Sequence, residues 1–163
     1  MIMSNDTISD YPMFSALSIL LLTSGSILKY EEERFSSIGL TPQQFGVLLA
    51  IKSVYGPATP RDVANWLDRN PASITFIIDR MTKIGLVERI RDIKDRRSLR
   101  LEVTPKGMEL YEKAIQPAID LSKEVMGDLS SRELSKLVTL LGKIRSKTNE
   151  FRKIKDKGAS LKI

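Results

Sequence analysis

The segment from Thr59 to Val103 is divided by unusually clear punctuation, and it leaves few folds open. Thr59-Pro60 opens a helix: a threonine hydroxyl accepts from an orphan amide of the first turn, and proline fits where no N–H is needed. Val63, Ala64 and Leu67 give that helix an apolar face, and Asp68-Arg69 breaks it. Asn70-Pro71 opens a second helix by the same chemistry. Its Ile74, Ile77, Ile78, Met81 and Ile84 recur at helical spacing, and Gly85 supplies the positive-φ residue that commonly ends a helix. Two short runs follow, Val87–Arg91 and Leu99–Val103. In the second, Leu99, Leu101 and Val103 alternate with Arg100 and Glu102, the period of a strand with one wet face. The charged stretch between them, Asp92 to Ser98, cannot pack in a core and should project into solvent.

Helix, turn, helix and charged hairpin in this order form the winged-helix pattern. Its second helix can enter a DNA major groove while the wing reaches phosphates or the minor groove. The pieces RDVANWLDRNPASITFIIDRMTKIGLVER, the wing DIKDRRSLRLEV and the TPKG that opens the next helix carry a family resemblance. With them, Ala58–Gly107 resembles the winged-helix core of the MarR family, the regulators named for multiple antibiotic resistance. The Asp95–Arg97 triplet, followed by a strand and Thr-Pro-Lys-Gly, is the most specific part. The flanking helices resemble the family only in length and pattern.

The expected fold is therefore mainly α: a winged helix-turn-helix core with a small antiparallel β wing, and flanking dimerisation helices. Residues 41–104 should form the DNA-binding lobe, residues 9–40 and 105–152 a helical dimerisation lobe, and residues 153–163 a loosely ordered basic tail. Ser9-Asp10 can cap a first helix that starts at Tyr11 and ends near Gly39. Its Met13–Leu22 stretch is apolar nearly all round and needs cover on more than one side, which a second subunit would supply, or else the core of a monomer. Thr41-Pro42-Gln43-Gln44 is a capping box; the helix behind it carries Phe45, Leu48, Leu49, Ile51 and Val54 inward and stops at Gly56-Pro57. A brief strand near Ala58 could close the wing sheet. Thr104-Pro105 opens a helix with Met108, Tyr111, Ile115, Ile119 and Leu121 on its apolar side, bent at Pro117. Ser130 to Glu133 is another capping box, and Leu134, Leu137, Leu141, Ile144 and Phe151 form a stripe suited to a helix partner. In the family these helices interlock about a two-fold axis, so the resemblance implies an obligate homodimer.

The charge is unevenly placed. The net +6 is made of −2 over residues 1–58, +4 over 59–106, zero over 107–151 and +4 over 152–163. Positive charge thus gathers in the reader and the tail, which fits a polyanion partner or ordinary solubilising charge; the winged-helix pattern makes the expected partner double-stranded DNA. The chain has no Cys and no His, which removes disulfides, thiol switching, the usual zinc sites and Cys or His nucleophile–base pairs. No Gly-rich phosphate loop or nucleophile elbow is present, so no enzyme, metal or cofactor is expected. The apolar run Ala16–Leu22 is too short to span a bilayer, and no basic region precedes it as in a secretory signal. The reading is a cytoplasmic protein that binds no membrane.

The outer face of the second reader helix shows Ala72, Ser73, Thr75, Phe76, Asp79 and Arg80. Hydroxyls and Arg80 can bond base edges or phosphates, and Ala72 or Phe76 can touch a thymine methyl. Asp79 and Lys83 have the spacing of a helix-surface ion pair. Phe76 departs from the family, which usually has a polar or basic residue there; it either reads thymine methyls or packs on Trp66. Thr59, Arg61 and Asn70, at the helix starts, are candidate DNA-backbone contacts. In the wing, the resemblance implies that Asp95 steadies Arg97, that Arg97 enters the minor groove, and that Arg96 and Lys94 meet phosphates. Family members often bind small aromatic or lipophilic effectors between the two lobes; Tyr30, Phe45, Tyr55, Met108 and Tyr111 could line such a pocket or be plain core. Two other readings stand beside a DNA-binding repressor: a winged helix used only for protein association, and the dimerisation region of an enzyme.

Overall fold

A proline stands first in each helix from the amino terminus to the wing and again just after it: α1 (Pro12–Ser36), α2 (Pro42–Ser53), α3 (Pro60–Trp66), α4 (Pro71–Lys83) and α5 (Pro105–Met126). The wing strands β1 (Val87–Arg91) and β2 (Leu99–Val103) lie between α4 and α5, and α6 (Ser131–Ala159) closes the order. The structure, a computed structural model, describes residues 11–91 and 99–159, with side chains as far as Phe151. It divides into two compact units, residues 1–121 and 122–163.

Capping explains the helix starts. Thr41 and Gln44 exchange a reciprocal pair: the Gln44 amide donates to the Thr41 hydroxyl at 3.2 Å and the Thr41 amide to Gln44 Oε1 at 2.9 Å. Thr59 and Asp62 repeat the arrangement at α3. Asn70 Oδ1 accepts from the Ala72 amide at 2.8 Å at the start of α4. The cap expected of Ser9-Asp10 lies outside the described residues; the residue before α1 is Tyr11, whose side chain makes no cap bond.

In the first unit, α2 is buried around most of its circumference. Phe45, Val47, Leu48, Ala50 and Ile51 are all buried, so the inward stripe read from the sequence omitted Val47 and Ala50. Around α2 pack Phe35, Leu40, Val63, Ala64, Ile74, Ile78, Met81, Leu86, Val87 and Leu101. Burial of each large side chain in such a core contributes about 1.5–3 kcal/mol. The wing strands pair antiparallel with Val87 opposite Val103 and Arg89 opposite Leu101, and Ala58 adds a single bridge as its carbonyl accepts from the Leu101 amide at 2.7 Å.

Several expectations are corrected. Ile84 is 48% exposed, because α4 ends at Lys83 and the residue beyond it no longer follows the helical period. On α5, Ile119 is 41% exposed, whereas small residues, Gly107 and Ala114, are buried together with Leu121. These recur every seventh residue, so α5 approaches the core closely where its side chains are small. In the second unit, Glu133 and Ser130 form the expected box, but α6 continues to Ala159, well into the stretch read as a tail.

The amino-terminal part of α1 exposes Met13, Phe14, Leu17, Ile19, Leu21 and Leu22, each by half or more. The uninterrupted apolar run is short, yet the 25-residue helix as a whole is long and apolar enough to cross a membrane, with mean hydropathy 1.4 over its most apolar window. Its other end is anchored in protein, with Phe35 fully buried against Phe45 at 5.0 Å between ring centroids.

Candidate nucleic-acid interface

Helix α4 has two unlike faces. Ile74, Ile78 and Met81 are buried on one, while Ala72, Ser73, Thr75, Phe76 and Arg80 are exposed on the other. The five residues expected to meet bases thus lie together on the solvent side of one helix. Ser73 is exposed; the Thr75 hydroxyl donates to the Pro71 carbonyl at 2.9 Å and keeps its acceptor lone pairs outward. Phe76 is 63% exposed and makes no ring contact with Trp66; instead the Arg80 guanidinium lies 5.8 Å from its ring centroid, one helical turn on.

Asp79 is only half-exposed, and its partner is not Lys83. It pairs with Arg89 of β1 at 2.5 Å. Arg89, a cation of the first wing strand, is therefore already engaged. Of the expected backbone contacts, Arg61 and Asn70 are exposed, and the Asn70 carbonyl oxygen serves the α4 cap. The Thr59 hydroxyl donates to Asp62 Oδ2 at 2.6 Å and accepts from the Asp62 amide at 3.2 Å, so its bonding is taken up by α3. Those hydrogen bonds, from the Thr59 side chain first and its backbone second, hold the Asp62 carboxyl below its usual range. Lys94, Asp95, Arg96 and Arg97 lie outside the described residues.

The end of α4 is fastened to the start of α5. The Thr104 hydroxyl donates to the Gly85 carbonyl at 2.6 Å and accepts from the Gly107 amide at 3.0 Å, while Lys106 Nζ donates to the Ile84 carbonyl at 2.8 Å. A Cβ on Gly107 would lie 2.0 Å from the Leu86 carbonyl oxygen, so the position excludes any side chain. The Thr-Pro-Lys-Gly sequence thus fixes the wing's root against the reader helix.

Of the five residues read as pocket lining or plain core, Phe45, Met108 and Tyr111 share neighbours. Phe45 and Tyr111 stack at 5.9 Å and Phe45 is buried in the core. Lys52 Nζ approaches both the Tyr111 ring, at 5.4 Å, and the Met108 sulfur, at 3.5 Å. Tyr30 lies apart and accepts from Arg34 at 2.8 Å, and Tyr55 is fully exposed, since Gly56 at φ +86° turns the chain out of α2. A cavity of about 220 Å³ opens elsewhere, behind α4. Ile74 and Ile77 line it from α4, Leu28, Glu31 and Glu32 from α1, Gly46 from α2, and Arg69 from the α3–α4 turn. The sequence singles out none of these as a ligand contact; only the packing of α1 turns Glu31 partly inward.

A sequence model described as the MarR family matches residues 38–98. The multiple antibiotic resistance protein MarR of Salmonella typhimurium is 32% identical over 110 residues, covering 67% of this chain and 76% of that protein. A crystal structure of a mutant MarR from E. coli complexed with operator DNA superposes with a TM-score of 0.74 at 25% identity, covering 86% of this chain and 99% of that one. The organohalide-sensing regulator RdhR in its 2,4-dichlorophenol-bound form gives a TM-score of 0.78 at 20% identity, covering 91% and 89%, a likeness of fold.

Proposed function

Because this chain belongs to the MarR family of transcriptional regulators, we propose that it acts as a cytoplasmic homodimer that represses a pseudo-palindromic operator and leaves it on binding a small molecule. The observation that carries the reading is the outer face of α4, where Ala72, Ser73, Thr75, Phe76 and Arg80 stand exposed on a helix held by buried isoleucines and by the Thr104 fastening. Short polar groups, an aromatic edge and a guanidinium on one helix face are the chemistry of direct base readout. The net positive charge of residues 59–106 supports the same partner.

Dimerisation follows from α1. Six large apolar side chains on its first turns face outward, an arrangement that is costly in water and is relieved by a second copy. Two copies place two α4 helices on half-sites about one helical turn apart. Within each copy, Arg97 is assigned to the minor groove and Lys94 and Arg96 to phosphates, with Asp95 steadying Arg97. The operator structure of the E. coli MarR variant and the dichlorophenol-bound RdhR structure support a DNA-binding, ligand-responsive cycle.

The test is selection of bound duplexes from a random pool, then titration of wild type, Ser73→Ala, Phe76→Ala and Arg97→Ala at several salt concentrations. Ser73→Ala and Phe76→Ala should alter base preference by about 1–3 kcal/mol for each well-formed bond or methyl packing to a base that they remove. Arg97→Ala should weaken binding broadly and flatten the salt dependence by about one unit of slope. A pool that yields no common sequence would instead favour a winged helix used for protein association.

A further inference from the structure

We infer that the cavity behind α4 is an effector site for a small amphiphilic cation: one apolar ring with a short arm that ends in a protonated or quaternary amine. The inference rests on the regulator reading above and adds the chemistry of the ligand. The cavity's inner wall is hydrocarbon, from Leu28, Leu67, Ile74 and Ile77. Its volume of about 220 Å³ exceeds the roughly 150 Å³ that holds benzene in a dry protein cavity. A single ring with a short substituent therefore fits.

The polar groups decide the charge of that substituent. Glu31 and Glu32 of α1 both line the cavity, and neither has an ion-pair partner among the described residues. Glu31 is half-buried, and its burial and the neighbouring Glu32 both disfavour its ionised form. A carboxylate in this position gains from a cation that enters beside it, since desolvation has already been met by folding. Arg69 also lines the cavity, but it stands on an exposed turn, where its charge is screened by water. Glu32 is exposed as well and is screened in the same way, so it offsets Arg69, and the half-buried Glu31 leaves the site net negative.

The site also bears directly on the reader. Ile74 and Ile77 form the cavity's wall from the same helix that presents Ser73, Thr75, Phe76 and Arg80 to solvent. Filling the space between α1 and α4 biases where α4 stands, and both half-sites must be met at once. Gly46 forms part of the wall, and a Cβ there meets Leu67 Cδ2 at 3.4 Å, so a long side chain at this position grows into the space.

The experiment titrates three probes into the full-length protein by calorimetry: benzyltrimethylammonium, its neutral isostere neopentylbenzene, and phenylacetate. Each is also added to the complex with a selected duplex. The cation should bind at least about tenfold more tightly than the isostere, a ratio that 1.4 kcal/mol gives, with phenylacetate weakest, and it should release the duplex. Glu31→Gln should erase the preference for the cation over the isostere, and Gly46→Leu should abolish binding of both. If Glu31→Gln does not fold, Glu32→Gln and the wild-type probe series decide. Equal binding of cation and isostere, tighter binding of phenylacetate, or no binding at millimolar concentration overturns the inference. Duplex binding without any probe reports on the regulator reading alone, so failure of either is seen separately.

Discussion

Asp79 of α4 and Arg89 of β1 form an ion pair that ties α4 to the root of the wing. Both side chains are partly exposed, at 44% and 29%, so the pair contributes no more than about 1 kcal/mol to stability. On the proposed function its value would lie in geometry, because α4 and the wing would address one duplex together and the pair joins them. A double-mutant cycle with Asp79→Ala and Arg89→Ala should show a small coupling in urea unfolding. The coupling in operator binding should be larger, because the wing then samples orientations that miss the groove. Equal coupling in both measurements would reduce the pair to a surface contact.

Gly107→Ala is expected to destabilise the protein by about 1–3 kcal/mol, the range for forcing atoms into packed space. The new Cβ would lie 2.0 Å from the Leu86 carbonyl oxygen and 2.9 Å from a Val103 methyl, so α5 must move away from the wing. The midpoint of urea unfolding measures the loss. Thr104→Val, which keeps the shape but removes both the bond to the Gly85 carbonyl and the cap bond from the Gly107 amide, should cost about 1 kcal/mol.

Thr59→Ala removes the α3 cap and should cost about 1 kcal/mol near neutral pH. The cost depends on pH in a defined direction. Hydrogen bonds from Thr59 lower the folded carboxyl of Asp62 below its ordinary value of 3.8, so their contribution is present above that value. It is lost as pH falls through the lowered folded value. Thermal unfolding of wild type and Thr59→Ala should therefore converge in acid below about pH 4. A gap that stays constant with pH would assign the cost to the hydroxyl alone.

Glu31 behaves in the opposite sense. Burial and Glu32 raise its folded value above 4.5, so the folded state holds a proton that the unfolded chain has already released. The resulting penalty is absent below the ordinary value, grows as pH rises toward the folded one, and is complete above it. Glu31→Gln should raise the unfolding temperature at neutral pH and leave it unchanged in acid. A lower unfolding temperature at pH 7 would show that Glu31 has a cationic partner in the assembled protein.

Light scattering at low micromolar concentration should return about twice the 18.4 kDa chain mass. Leu21→Asp should break the dimer, since α1 exposes Leu21 by 65% within one copy and a charge there would be buried unpaired in the assembly. A wild-type mass of one chain would remove the proposed cover for α1.

The helix starts and the wing's alternation were legible from the amino-acid order because their causes are local. Thr41 with Gln44, Thr59 with Asp62 and Ser130 with Glu133 meet within three residues of chain, so spacing alone states the bond. The outer face of α4 was legible for a similar reason, as Ile74, Ile78 and Met81 mark its inner side by period. What tertiary structure decided involves partners distant in the chain. Asp79 met Arg89 across the α4–β1 turn and not Lys83 on its own helix, because the strand delivers a guanidinium to that edge. Tyr55 was released to solvent by the turn at Gly56, while Phe45 and Tyr111 were drawn into one stack. Glu31 came to line a cavity with Ile74, Ile77 and Arg69 because α1 crosses behind the reader there, and volume enclosed between elements has no period along a chain. Gly107 shows both levels at once: the motif predicts a glycine, but only the close approach of the Leu86 carbonyl states why no other residue fits.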